Sequence, residues 1–199
     1  MNDLDQINQQ KAGLRHEMRA RLAEVALEQQ QSWSREIIQW LMSDESWLAQ
    51  PGAVALFGGI RSEPDLRPLF AWLNDRERHV AFFAVEKVGL MRPHRVCEPA
   101  HLMTGVYGVS IPDVSQCPAM REEELAAVLV PGLAFSTRDG TRLGRGKGYY
   151  DRILARLRPD ARVIGIAFAM QMLNEVPRLP HDRCMDSLVC ENGWRAIPK

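Results

Sequence analysis

The chain has 199 residues, 46% of them hydrophobic and 25% charged, enough to bury a sizeable core within a single domain spanning 1–199. Lysine plus arginine equals aspartate plus glutamate at 25 each, so no global field recommends nucleic acid or an anionic membrane as partner, and any basic site must be local. No stretch has the apolar length of a membrane span, and the start MNDLDQINQQKAGLRHEMRARL lacks the apolar centre of a signal peptide, so a cytoplasmic protein is expected.

Over 4–25, Leu4, Ile7, Leu14, Met18, Leu22 and Val25 recur at helical spacing and predict an amphipathic first helix. Lys11 falls inside that stripe and Arg15, one turn on, lies at its edge, so two cations point inward. From the residues alone, snorkelling is the favoured account: buried stems, exposed heads. A second helix over 27–48 follows from Trp33, Ile37, Trp40 and Leu41, with Gln50, Pro51 and Gly52 ending it.

Five short apolar runs come next: AVALFGGI, HVAFFAVE, AAVLVPGLAF, ARVIGIAF and SLVC. Continuous apolar strands alternating with helices, here expected at 65–74 and 149–157, predict an α/β fold of three layers around a mainly parallel sheet, with an N-terminal helical pair. Ligands of such open sheets bind at the carboxyl ends of the strands. Between runs, 93–124 contains Pro93, Pro99, Gly105, Gly108, Pro112 and Pro118 without a sustained period, and reads as a long ordered excursion over the surface. Cys97, Cys117, Cys184 and Cys190 form no CxxC pair and suit reduced thiols. His16, His79, His94, His101 and His181 show no ligand spacing and are read as structural or exposed.

The chemistry concentrates in PGLAFSTRDGTRLGRGKGYYDRIL, residues 131–154. A strand ends at Phe135, a polar turn follows, and Gly144, Gly146 and Gly148 alternate with Arg145 and Lys147 just before a helix. Glycines let backbone amides approach a ligand, a helix start adds positive potential, and Arg142, Arg145 and Lys147 add full charges: these are parts for binding phosphate. The spacing is neither that of a Walker A loop, since Gly148 follows Lys147, nor that of a GxGxxG dinucleotide fingerprint. The bland alternative is a solvated basic loop, and the flanking strand and helix weigh against it.

Here the sequence resembles the 5-formyltetrahydrofolate cyclo-ligase family. Its signature, a strand ending in PGLxF and then GxRLGxGxGYYD, is met by Pro131, Gly132, Leu133, Phe135, Gly140, Arg142, Leu143, Gly144, Gly146, Gly148, Tyr149, Tyr150 and Asp151. Weaker features follow in the same order: a K-x-x-x-R pair at Lys11 and Arg15, a glutamate after the first strand at Glu63, and LPHDRCMDSLV with Asp186 before the last strand. Two departures stand out, Phe83 where the family carries a proline, and Ile111, Pro112 and Asp113 where it carries Glu-Pro.

The resemblance implies a Rossmann-like fold and ATP- and magnesium-dependent closure of 5-formyltetrahydrofolate to 5,10-methenyltetrahydrofolate, by a monomer. It puts Lys11, Arg15, Arg142, Leu143 and Gly144 at the nucleotide, together with Gly146, Gly148, Tyr149 and Tyr150; Arg145 and Lys147 there would also be catalytic. Gly58 and Glu63, with the two tyrosines, would take the folate, and Asp151 and Asp186 the magnesium ion. Without the resemblance, Glu63 merely follows a strand end where Pro64 and Asp65 open the next helix as cap residues, and Asp151 reads as a favourable first-turn anion worth about 0.3–1 kcal/mol. Two rival readings remain at this point: a related ATP-dependent enzyme acting on another formyl or amide substrate, and a non-catalytic nucleotide-binding module.

Overall fold

A computed structural model of the chain describes residues 3–87, 90–180 and 182–198. The chain begins with helices α1 (Asp3–Ala23) and α2 (Leu27–Ser43). α2 stops five residues short of the predicted end because Asp44 turns extended and its carboxylate accepts the Ser46 amide at 2.8 Å, opening a separate tight 3-10 turn over Glu45–Leu48. Then come β1 (Ala53–Leu56), α3 (Leu69–Asn74), β2 (Val80–Lys87) and β3 (Leu90–Val96), followed by the short β4 (Leu102–Thr104) and β5 (Ser110–Pro112). The rest is β6 (Leu125–Pro131), β7 (Ala134–Ser136), β8 (Arg142–Leu143), α4 (Tyr149–Leu154), β9 (Arg162–Ile166), β10 (Met172–Leu173), β11 (Ser187–Cys190) and β12 (Gly193–Ala196).

Seven strands form one sheet in the order β12-β11-β9-β6-β1-β2-β3. The five central strands are parallel to their neighbours, and β12 and β3 are antiparallel edges. Alternate side chains divide between two cores, as the two-residue strand period requires. Val54, Leu56, Val80, Phe82, Leu129 and Ile164 pack under α1, α2 and α3. Ala55, Ala81, Val128, Val130 and Val163 pack under α4 and Phe135 of β7. The three-layer α/β fold with its N-terminal helical pair is therefore as expected.

Several elements differ from the sequence reading. The AAVLVPGLAF run is two strands, because Gly132 and Leu133 break β6 from β7, and β7 pairs with β8 and β10 in a small separate sheet. α3 starts at Leu69, after Pro64 and Pro68, and α4 ends at Leu154. The excursion over 93–124 starts inside β3, carries the β4–β5 hairpin, and returns along the β3 edge, where the Arg95 amide donates to the Pro118 carbonyl and the Met120 amide to the Pro93 carbonyl. No helix among the described residues is long and apolar enough to cross a membrane.

The chain leaves β1 through α3 to β2 on one side, and leaves β6 through the β7–β8 hairpin and α4 to β9 on the other. The carboxyl ends of β1 and β6 thus flank a topological switch point, where open α/β sheets form a crevice.

Candidate functional site

The loop over 144–148 sits at this crevice. It turns sharply at Gly146 (φ +102) and Gly148 (φ +64), left-handed conformations that favour glycine, and delivers Tyr149 into the first turn of α4. α1 holds the loop from outside: Arg15 Nε donates to the Gly144 carbonyl at 3.0 Å and an Arg19 guanidinium nitrogen to the Arg145 carbonyl at 3.3 Å. From within, Arg152 donates to the Lys147 carbonyl at 2.8 Å, and its guanidinium lies 5.6 Å from the Tyr149 ring centre. Burial, and repulsion from Arg19, push the Arg15 guanidinium below its ordinary value, against the pull of Asp151 and Asp182. Crowding cations this way suits a site that takes an anion.

Lys11 does point inward. It is buried on the same face of α1 as Met18 and Leu22, and its Nζ meets Asp182 Oδ2 at 2.5 Å with the two side chains 7% and 11% exposed. Asp182 also accepts the Leu179 amide at 2.7 Å. Snorkelling is therefore the wrong account of Lys11, which ends in a buried ion pair beside the loop.

Arg142 and Leu143 do not stand where a phosphate contact was expected. Leu143 is buried in β8 and its carbonyl accepts the Leu133 amide at 2.8 Å. The Arg142 side chain is 6% exposed; it donates to the Pro131 carbonyl at 3.2 Å and to Asp151 Oδ1 at 2.5 Å, and lies 5.4 Å from the Tyr150 ring centre. Two of its donors tie the end of β6 to the start of α4, which makes it a strut beneath the loop. Tyr150 is clamped between that guanidinium and Phe83, whose ring meets it edge-on at 5.6 Å, and burial pushes its phenol upward, helped by the nearby Glu63 charge.

Glu63 faces the loop from the β1 side of the crevice. Its side chain is only 9% exposed; Oε1 accepts from Arg145 at 2.9 Å, and Oε2 accepts the Ile60 amide at 3.2 Å. Arg145 also donates to Ser62 Oγ at 3.1 Å. Burial raises the Glu63 carboxyl, and Arg145 offsets part of that rise. A cleft of about 210 Å³ opens beside it, lined by Gly58, Gly59 and Ile60 and by Gln30 and Ser34 of α2. Gly58 has a packing reason of its own, since a Cβ there would come within 1.9 Å of the Ser110 carbonyl in β5. A second cavity of about 230 Å³, bounded by Phe70, Phe82, Leu102 and Met103, shares Arg67 and Ser110 with the first.

The two expected metal ligands are not brought together. Asp186 lies at the amino end of β11, where its amide donates to the Val163 carbonyl and its Oδ2 accepts the Val163 amide at 2.9 Å. Asp151 is tied through Arg142 to Pro131, which pairs with Ile166, three residues further along β9, about 10 Å at roughly 3.3 Å per residue. β9 separates β11 from β6, which adds two strand spacings of about 4.8 Å each. Asp186 belongs to the opposite edge of the sheet and leaves the proposed metal pair. Among the described residues no group of three or more His, Cys, Asp or Glu side chains is placed to hold a metal ion.

Asp182, Arg19 and Ser62 were missed in the sequence. Arg19 continues the four-residue spacing of Lys11 and Arg15, a signal that was available; Asp182 sits four positions before Asp186 in the same motif, with nothing local to mark which carboxylate reaches the site. Of the histidines, His94 is buried with Nδ1 2.8 Å from the Cys117 carbonyl, and His181 lies outside the described residues.

Fold and loop define a Rossmann-like α/β protein with a basic, glycine-rich crevice at its switch point. The chain belongs to the 5-formyltetrahydrofolate cyclo-ligase family, whose model matches residues 7–191. It is 30% identical to a 5,10-methenyltetrahydrofolate synthetase of Aquifex aeolicus, with a TM-score of 0.79 and 95% of this chain and 93% of that one covered. A 5-formyltetrahydrofolate cyclo-ligase of Mycolicibacterium smegmatis is 39% identical over 87 residues, 44% of each chain. One of Saccharomyces cerevisiae is 30% identical over 130 residues, 62% of this chain and 56% of that protein. The match thus spans about half the length of these two curated relatives.

Proposed function

We propose that the protein is an enzyme that closes 5-formyltetrahydrofolate to 5,10-methenyltetrahydrofolate, using ATP and releasing ADP and phosphate. The observation that carries this reading is the convergence, across one crevice, of a cation-crowded glycine loop with a nearly enclosed carboxylate, Glu63. The first suits a polyphosphate, and the second suits the donor-rich edge of a reduced pterin.

A formamide oxygen is a poor leaving group, so the neighbouring N10 amine cannot expel it directly. In the proposed reaction the formyl oxygen attacks the γ-phosphorus and the bond to ADP breaks. N10 then attacks the activated carbon and loses its proton, and the carbon–oxygen bond breaks to release phosphate. The protein's tasks are positioning and charge neutralisation, which the backbone amides of 144–148 with Arg15, Arg145 and Lys147 can supply. Arg142 keeps those amides in place through Asp151 and Pro131. Glu63 would orient the pterin, with Tyr149 and Tyr150 walling the space between the two ligands. A bound magnesium ion would neutralise phosphate charge, and Asp151, whose side chain is 40% exposed, is the carboxylate offered to it; magnesium keeps several waters and needs only one or two protein carboxylates. We place the protein in the cytoplasm as a single-domain monomer with no nucleic-acid or membrane partner.

The test mixes the protein with magnesium-ATP and 5-formyltetrahydrofolate and follows the near-ultraviolet absorbance of the methenyl product. Product is expected only with ATP and the 5-formyl isomer together; product without ATP, or none at all, rejects the reading.

A further inference from the structure

We propose that the Glu63–Arg145 ion pair is a coupling latch between the two halves of the crevice, so that nucleotide and reduced folate each tighten the binding of the other. The proposal rests on the functional reading above. The two residues stand 82 positions apart in sequence, one on the loop after β1 and one on the loop after β8, and their contact closes the switch-point crevice. Both Glu63 oxygens are engaged, by Arg145 at 2.9 Å and by the Ile60 amide at 3.2 Å, and Ser62 Oγ steadies the same guanidinium at 3.1 Å. The Arg145 backbone is held separately by Arg19 on its carbonyl, so its side chain can leave Glu63 while the loop stays in place.

A phosphate entering the loop competes with Glu63 for Arg145, and a donor edge entering the cleft competes with Arg145 for Glu63 Oε1. Either ligand alone must open the pair and leave the partner charge without compensation, which is costly for a carboxylate only 9% exposed. When both ligands are bound, the opening is shared and each charge has a new partner. The coupling is reciprocal by thermodynamic necessity, and a factor of roughly ten is expected, inside the usual range of about 5–150-fold.

Calorimetric titration with magnesium and the β,γ-imido analogue of ATP, with 5-formyltetrahydrofolate, and with each in the presence of the other reads the factor directly. In the unaltered protein each ligand should tighten the other by the same factor, roughly tenfold. Glu63→Gln keeps the size and the Ile60 bond but frees Arg145, so the ATP analogue alone should bind more tightly than to the unaltered protein while the factor shrinks towards one. Ser62→Ala removes only the anchor of the closed pair, so both ligands alone should bind more tightly, an effect that a merely structural role would not produce. A factor of one with both ligands binding overturns the latch and leaves the functional reading standing, as does an ATP-analogue affinity that Glu63→Gln leaves unchanged or weakens. Failure of the unaltered protein to bind either ligand overturns both.

Discussion

α1 and α2 are consecutive helices of 21 and 17 residues, and they are held in place by different forces. α2 buries Ile37, Ile38 and Leu41 against the sheet. α1 buries only Lys11, Met18 and Leu22, with Leu14 partly packed on the core, and it adds polar ties to the glycine loop and to Asp182. A helix with so thin an apolar face depends on its polar ties for its position, whereas α2 is held by the core. The sharpest contrast comes from the core side. Ile37→Ala removes a fully enclosed side chain and should lower stability by about 4 kcal/mol in urea denaturation, with the activity of the folded fraction unchanged. A loss below about 1 kcal/mol would mean that α2 is not a core helix.

The corresponding change on α1 is Lys11→Met, which breaks the Lys11–Asp182 ion pair and should cost about 3 kcal/mol. Adding Asp182→Asn removes the carboxylate charge while keeping an acceptor for the Leu179 amide, so most of the stability should return. Steady-state kinetics then separate the two views of α1. If the helix serves the nucleotide, the KM for ATP should stay raised in the stable double variant; a normal KM would reduce Lys11 and Asp182 to a structural strut.

The same contrast explains what could be read from the sequence. The parallel sheet was legible because continuous apolar runs report burial on both faces, the core helix α2 because of its apolar spacing, and the glycine loop because a strand and a helix flank it. Trp40 shows the limit of that periodicity: it lies on the expected apolar stripe yet is 42% exposed, its indole donating to the Glu191 carbonyl. β8, β10 and the β4–β5 hairpin are two or three residues long and are set by tertiary pairing, so they leave no period in the sequence. That Arg142 turns inward while Arg145 reaches across the crevice was equally illegible, since the two arginines stand three residues apart in one glycine-rich stretch. Burial decides it, through Asp151 and Pro131 for one and Glu63 for the other.

The pair Asp151 and Asp186 tests whether the carboxyl edge alone serves the metal. Asp186→Asn should cost about 1 kcal/mol, because the amide is a weaker acceptor for Val163, and should leave the magnesium concentration for half-maximal activity unchanged. Asp151→Asn should raise that concentration. An equal rise in both would return Asp186 to the site in spite of its place at the amino edge.

Lys147→Ala carries the smallest expected change in stability, within about 0.5 kcal/mol, because its side chain is exposed and the tie that Arg152 makes to it is to the backbone carbonyl, which survives the substitution. Its effect should fall on the nucleotide instead. A charge-assisted bond to phosphate is worth about 1.5–3 kcal/mol, so losing it should raise the KM for ATP by about tenfold or more, with the KM for the folate much less affected. Lys147→Arg refines the point. If the ammonium acts as a compact point charge, the guanidinium restores part of the affinity but not the rate, since a planar fork presents its donors differently. Denaturation midpoints should coincide for all three proteins, so any kinetic difference among them belongs to the crevice. Unchanged ATP kinetics in Lys147→Ala would make this part of the loop the solvated basic segment that its composition alone also permits.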